Sequence, residues 1–192
     1  QINQFIDNVL KLRQRIDILI TNVGGPPVKT FEETTNEEWE KYFNIILMSV
    51  ITSIRKVLPA MKEQNWGRII NITSMAVKQP FPGLIFSNSL RAAVVGLTKT
   101  LSQEYGKNNI LFHNVAPGFF NTEGLERIVK KRMDAGEKRE NIYTEWKNIV
   151  PVNKIGNPDQ LASLITFLAS EQAGYMTGNT IQVDGGRFAG MM

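Results

Sequence analysis

Cysteine is absent from the 192 residues, which excludes disulfides, thiolate nucleophiles and zinc sites with cysteine ligands. Histidine occurs once, as His113, so a histidine-rich metal site is excluded as well and no metal is expected. No apolar run approaches the ~20 residues that a membrane-spanning helix needs, so the expectation is a soluble protein with no membrane partner. Charge of one sign is also scarce: 22 Lys and Arg against 18 Asp and Glu leave +4. The densest basic cluster, Lys130, Lys131 and Arg132, is followed closely by Asp134, Glu137 and Glu140. That reads as a solvated helix face rather than a phosphate-binding stripe, and no nucleic acid is expected. No basic-then-apolar signal segment opens the chain, which makes a cytoplasmic location the expectation. What remains, 42% hydrophobic and 21% charged residues, is an ordinary globular composition with enough length for one domain and a sizeable core.

Within that length, short β-rich runs alternate with stretches of helical period. Ile16 to Ile20 reads as a strand ending at Thr21-Asn22-Val23-Gly24-Gly25, and Pro26 and Pro27 enforce a loop. Thr35 with Glu38 three residues on has capping-box spacing. Trp39, Phe43, Leu47, Val50, Ile54, Leu58 and Met61 then recur every three or four residues, which predicts one long helix with an apolar stripe, closed at Asn65-Trp66-Gly67. Arg68 to Ile72 is the next strand. Leu90, Val94, Leu97 and Leu101 mark a second helix ending near Gly106, and Ile110 to Val115 a third strand stopped by Pro117-Gly118. From there to Val150 the chain is polar, charged and weakly helical, as expected of a mobile segment over a site. Asn157-Pro158-Asp159 has the look of an N-cap with proline at the first helical position. Thr180 to Val183 is a last strand before Asp184-Gly185-Gly186.

Strands alternating with helices predict a single α/β domain over residues 1–192: a parallel sheet covered on both faces, with right-handed helical crossovers. Ligands of such sheets bind outside the carboxyl ends of the strands. Those ends are Thr21 to Gly25, Thr73 to Ala76, Ala116 to Thr122 and Asp184 to Gly186. Glycine there lets a ligand approach the backbone, and Ser or Thr supplies donors and acceptors. The residues alone therefore reach a small polar or phosphorylated ligand, and no reaction.

Four segments fall in order at familiar separations: Asp17 to Gly24, Gly67 to Ser74, Pro117 to Thr122, and Gln182 to Gly186. Together they resemble the short-chain dehydrogenase/reductase family, NAD(P)-dependent enzymes on a Rossmann fold. The kinship would be with reductases of the 3-oxoacyl-carrier-protein and sugar-dehydrogenase kind. The resemblance implies NAD or NADP as cofactor, a small carbonyl or alcohol substrate, and assembly as a homodimer or homotetramer. It implies cofactor contacts from Asn22, Gly24, Arg91, Pro117, Gly118 and Thr122. The match starts partway through the family's domain, because the glycine-rich turn and helix that hold the pyrophosphate have no counterpart here. The expected sheet is thus a Rossmann-like, doubly wound one truncated at its N-terminal side, with the Ile16 to Ile20 strand as an exposed apolar edge. Either upstream sequence is missing, or the protein begins at Gln1 and binds dinucleotide weakly.

The catalytic positions depart from the family's. Its asparagine falls on Ile46, its serine is kept as Ser74, and its tyrosine and lysine fall on Ser87 and Arg91. Ser74, Ser87 and Arg91 are therefore the candidate catalytic residues. A phenol of pKa ~10 can protonate a developing alkoxide, which a serine hydroxyl is too weak an acid to do. Arg91 keeps a charge yet never deprotonates, so it relays no proton. Tyr42, Tyr143, Lys78 and His113 are the candidate substitutes, but Tyr42 reads as packing at the core edge, Tyr143 and Lys78 as surface residues, and His113 as a satisfied structural histidine. Two functions stay open: an atypical NAD(P)-linked oxidoreductase with Ser74 polarising a carbonyl, and a non-catalytic relative that binds a ligand or serves as an assembly subunit.

Overall fold

The computed structural model describes residues 2 to 191. Four strands, β1 (Ile18–Thr21), β2 (Gly67–Ile72), β3 (Ile110–Pro117) and β4 (Asn179–Val183), form one sheet in the order β1-β2-β3-β4, every pair parallel. Pairing Ile69 with Phe112 and Ile70 with His113 fixes the register, and successive side chains then point to opposite faces.

One face buries Ile69, Ile110 and Phe112 under α1 (Ile2–Arg13), α3 (Ser49–Glu63) and α4 (Ile85–Tyr105), which contribute Ile6, Val50, Ile54, Val57, Met61 and Val94. The other buries Ile70 and Val115 against Leu168 of α7 (Pro158–Leu168) and Ala173. This arrangement overturns one expectation. The connections β1 to β2 and β2 to β3 cross over the first face, while β3 returns to β4 through α7 on the second. All three steps run the same way across the sheet, so the last crossover has the opposite hand to the first two. The right-handed rule cannot hold for all of them; the apolar stripe Leu161, Leu164, Ile165 and Leu168 decides the face instead.

The long helix expected after Thr35 exists in three pieces: α2 (Asn36–Tyr42), a π-helical turn at Phe43–Met48, and α3. The capping box forms, with Thr35 accepting from the Glu38 amide and Glu38 accepting from that of Thr35. By length and composition alone the rod 36–63 is apolar enough to cross a membrane, against the expectation of no such run. Its stripe is instead spent on the sheet.

The segment 119–150 also departs from expectation. It folds as α5 (Glu123–Asp134) and α6 (Arg139–Asn148), which close on a core of their own made by Leu125, Val129, Ile142 and Trp146. Two pairs spaced i,i+4 suffice to hold two short helices face to face. Asn157 and Gln160 form the second capping box with Pro158 at the first turn. At the free edge, Ile18 and Ile20 of β1 are 43% and 49% exposed.

Beneath the strand ends runs a buried polar chain. Thr21 Oγ1 donates to Asn71 Oδ1 (2.6 Å), Asn71 Nδ2 to Thr98 Oγ1 (3.0 Å), Thr98 Oγ1 to Asn114 Oδ1 (2.8 Å), and Asn114 Nδ2 to Thr180 Oγ1 (3.2 Å). All four strands and α4 are tied by hydrogen bonds that run one way.

Candidate active site

Just above that chain, the strands release their loops around one open cleft of about 800 Å³, within the range of small-molecule and cofactor sites. Asn22 and Gly24 line it from the end of β1, Ser74 from the end of β2, and Pro117, Gly118 and Thr122 from the end of β3. A side chain added at Gly24 or Gly25 would meet nothing within 4 Å, so bare backbone faces the opening there. Gly118 is required for a different reason: a Cβ would fall 2.8 Å from Asp184 Cα, and only glycine lets the loops after β3 and β4 touch.

Ser74 has an extended backbone, and its Oγ accepts from the Ala76 amide at 3.1 Å. One lone pair of the hydroxyl is thereby engaged, and its hydrogen is free to donate toward the cleft that Ser74 lines. Thr122 caps α5, its Oγ1 accepting from the Leu125 amide.

Two of the expected site residues do not line this cleft. Arg91 is 6% exposed, and its Nη1 and Nη2 donate to the carbonyls of Ile72 (3.0 Å) and Val23 (3.2 Å). The guanidinium braces the ends of β1 and β2 from below, and burial pushes its pKa down from the usual arginine range. Ser87, one turn before it on α4, is buried at 6%. Ile46 lies in the π turn, where the Ser49 amide reaches back five residues to the Asn44 carbonyl. It packs with Phe86 and Leu90 beside a void of about 10 Å³ that Thr21, Asn71, Thr73 and Arg91 share. That is about the size of a single water site.

The candidate substitutes for the missing phenol lie elsewhere. Tyr42 packs on the Phe86 ring at 4.8 Å. Tyr143 donates to Glu126 Oε1 at 2.5 Å, and that bond, helped by burial, pushes the phenol pKa up. Lys78 does not reach the cleft. His113 is fully buried on the α7 face of β3, and neither ring nitrogen has a hydrogen-bond partner. The satisfied histidine expected from the sequence is thus buried, but without a hydrogen-bond partner among the described residues. Burial, only partly offset by the Met176 backbone and reinforced by Arg68, pushes its pKa below the ordinary imidazole value.

The polar and aromatic cleft residues that escaped the sequence reading include Phe81, Glu123, Arg127 and Arg187. Arg187 had a signal, since it directly follows the Gly185-Gly186 turn at a strand end. That turn needs φ of +67° and +84°, which glycine adopts freely.

Residues 1–187 match the family model described as "Enoyl-(Acyl carrier protein) reductase". The 3-oxoacyl-[acyl-carrier-protein] reductase FabG of Aquifex aeolicus is 32% identical over 187 residues, covering 97% of this chain and 71% of that protein. The NADPH-dependent reductase BacG of Bacillus subtilis is 31% identical over 176 residues, covering 90% and 67%. Among solved structures, YwfH, an NADPH-dependent reductase involved in bacilysin biosynthesis, superposes with a TM-score of 0.93 at 28% identity, over 99% of this chain and 74% of that one. The L-sorbose reductase of Gluconobacter frateurii, solved with NADPH and L-sorbose, gives 0.93 at 27% identity, over 99% and 73%.

Proposed function

We propose, since this chain belongs to the short-chain dehydrogenase/reductase family of oxidoreductases, that it reduces a small carbonyl compound with a nicotinamide cofactor. The single observation that carries the reading is the convergence of Asn22, Gly24, Ser74, Gly118 and Thr122 on one cleft at the carboxyl ends of parallel strands. The cleft fits a dinucleotide in kind: bare backbone at Gly24 and Gly25, and a hydroxyl donor at Ser74. Asn22 to Gly25 and Pro117 to Thr122 would hold such a cofactor, which supplies the hydride when bound.

The chain's own residues do the rest. Ser74 Oγ, fixed by the Ala76 amide, donates its hydrogen to the substrate oxygen and stabilises the charge that grows there. A preoriented donor of this kind contributes ~10²–10³ in rate. Arg91 holds the loops after β1 and β2 in register through the Val23 and Ile72 carbonyls. Phe81, Phe119, Met75 and Leu125 keep water from the apolar side of the cleft. Among the described residues no tyrosine, lysine or histidine lines the cleft, and the reading takes the proton that completes the alcohol from solvent.

That same observation favours a second reading, a relative that binds ligand without turnover. The test uses the natural full-length protein: nicotinamide fluorescence on titration with NADH and NADPH, then hydride transfer to a panel of ketones and aldehydes. Binding with turnover of any member supports the reductase; binding without turnover of all supports the second reading; no binding removes both. The proposal extends to a cytoplasmic homodimer or homotetramer, to be checked by light scattering. Exposed Phe43 and Ile45 on the helical rod are apolar surface that such assembly would cover.

A further inference from the structure

Arg187 is held in an unusual way. Its guanidinium lies between two aromatic rings, 4.6 Å from the Phe81 centroid and 4.7 Å from that of Phe119. Contact with both rings holds the cation against apolar faces, and its N–H donors remain the polar part of the group. Arg187 lines the cleft. Its one protein hydrogen bond is Nη1 to Met75 Sδ at 3.4 Å, and a thioether is a weak acceptor.

No carboxylate among the described residues lies within ion-pair distance of it, although Arg15, Arg68, Arg132 and Arg139 all have one. The nearest, Asp184, is already occupied: Oδ1 accepts from the Gly186 amide (3.0 Å) and Oδ2 from that of Phe188 (2.9 Å). Those two bonds hold the turn from which Arg187 projects. The pKa of Arg187 is pushed down by burial and only partly restored by Asp184. A charged fork thus stands in the wall with one donor on a thioether and no side-chain hydrogen bond to an oxygen acceptor among the described residues. The other cleft cation, Arg127, is exposed on α5 and held by no ring.

From this geometry we infer that the substrate carries a carboxylate, received by Arg187 between Phe81 and Phe119. A planar fork matches a carboxylate through two parallel hydrogen bonds. Met75, whose Sδ accepts from the guanidinium, directly follows Ser74 in the chain, and Ser74 and Arg187 line one cleft, so the inference places the carboxylate and the oxygen that Ser74 polarises on one small molecule. That selects 2-oxo and 3-oxo acids, with an apolar remainder against Leu125 and Ile128.

The inference rests on the reductase reading for its carbonyl and on Arg187 alone for its anion, and the test separates them. In the full-length protein, NADPH binding is followed by fluorescence. Binding of 2-oxohexanoate, 3-oxohexanoate and their methyl esters is followed by calorimetry, with and without NADPH. The expected result is preference for at least one acid over its ester. Arg187→Met should weaken that acid by ~10–100-fold, leaving the ester and NADPH within threefold. Arg187→Lys, which keeps charge without the fork, should fall between; it decides the matter if the methionine variant does not fold. Acid binding that depends on Arg187 without any NADPH binding would keep the anion site and remove the reductase. The inference is overturned if neither acid binds, if acid and ester bind alike, if Arg127→Met abolishes the preference instead, or if Arg187→Met loses NADPH, which would make the anion the cofactor's.

Discussion

Thr98→Val probes the buried chain that sets the strand ends under the cleft. Valine matches threonine in shape, so the substitution removes one hydroxyl and little else. Thr98 is fully buried, Asn71 and Asn114 are each 1% exposed, and the hydroxyl serves both, accepting from Asn71 and donating to Asn114. Its loss leaves a buried N–H and a buried carbonyl oxygen unmet, at ~1–3 kcal/mol each. The sum is about 2–6 kcal/mol, a fall in Tm of roughly 4–24 °C for a domain of this size. Thr98→Ser keeps the hydroxyl, loses one methyl, and should cost only about 1 kcal/mol. Scanning calorimetry of the three proteins at one pH is the assay. A valine variant within ~2 °C of wild type, or a serine variant as unstable as the valine one, would refute the reasoning.

Ser74→Ala should leave NADPH affinity within threefold and cut turnover by ~10²–10³-fold, read by single-turnover absorbance; equal loss of both would make Ser74 a binding residue only. Gly118→Ala drives a Cβ to within 2.8 Å of Asp184 and should cost ~1–3 kcal/mol in urea unfolding, while displacing Arg187. His113 has a folded pKa below its unfolded value of ~6.5. Its unfolded form therefore binds the proton first, and stability that is full above pH ~6.5 is lost as pH falls below it. His113→Leu should narrow the gap in Tm between pH 7.5 and pH 5.5, and an unchanged gap would assign the acid sensitivity elsewhere. Trp146→Ala removes the ring stacked on Phe119 at 5.1 Å and should cost ~3–5 kcal/mol, with faster hydrogen exchange confined to α5 and α6.

Much of the fold could be read in the sequence because it is written locally. The Thr35–Glu38 and Asn157–Gln160 boxes, Pro158, and the apolar stripe Val50, Ile54, Met61 each act within one element. The handedness of the last crossover could not be read, since it depends on which sheet face α7 covers. The mini-core of Leu125, Val129, Ile142 and Trp146 escaped because four apolar residues are diluted among charged ones. At the site, Asn22, Gly24, Ser74, Pro117, Gly118 and Thr122 were legible as strand-end residues. Arg91 and Ser87 were legible only as positions: no local pattern says that a guanidinium will turn down to brace carbonyls. The ring-clamped Arg187 needs Phe81 and Phe119, 106 and 68 residues away by the numbering, brought together by three different loops.

Amide hydrogen exchange of the full-length protein, with and without saturating NADPH, tests the cleft most directly. Protection of residues 22–25, 73–76 and 117–124, with the amino-end turns of β2 and β3 unchanged, is the predicted result. Protection absent from all three segments, or confined to the opposite end of the strands, would contradict the account.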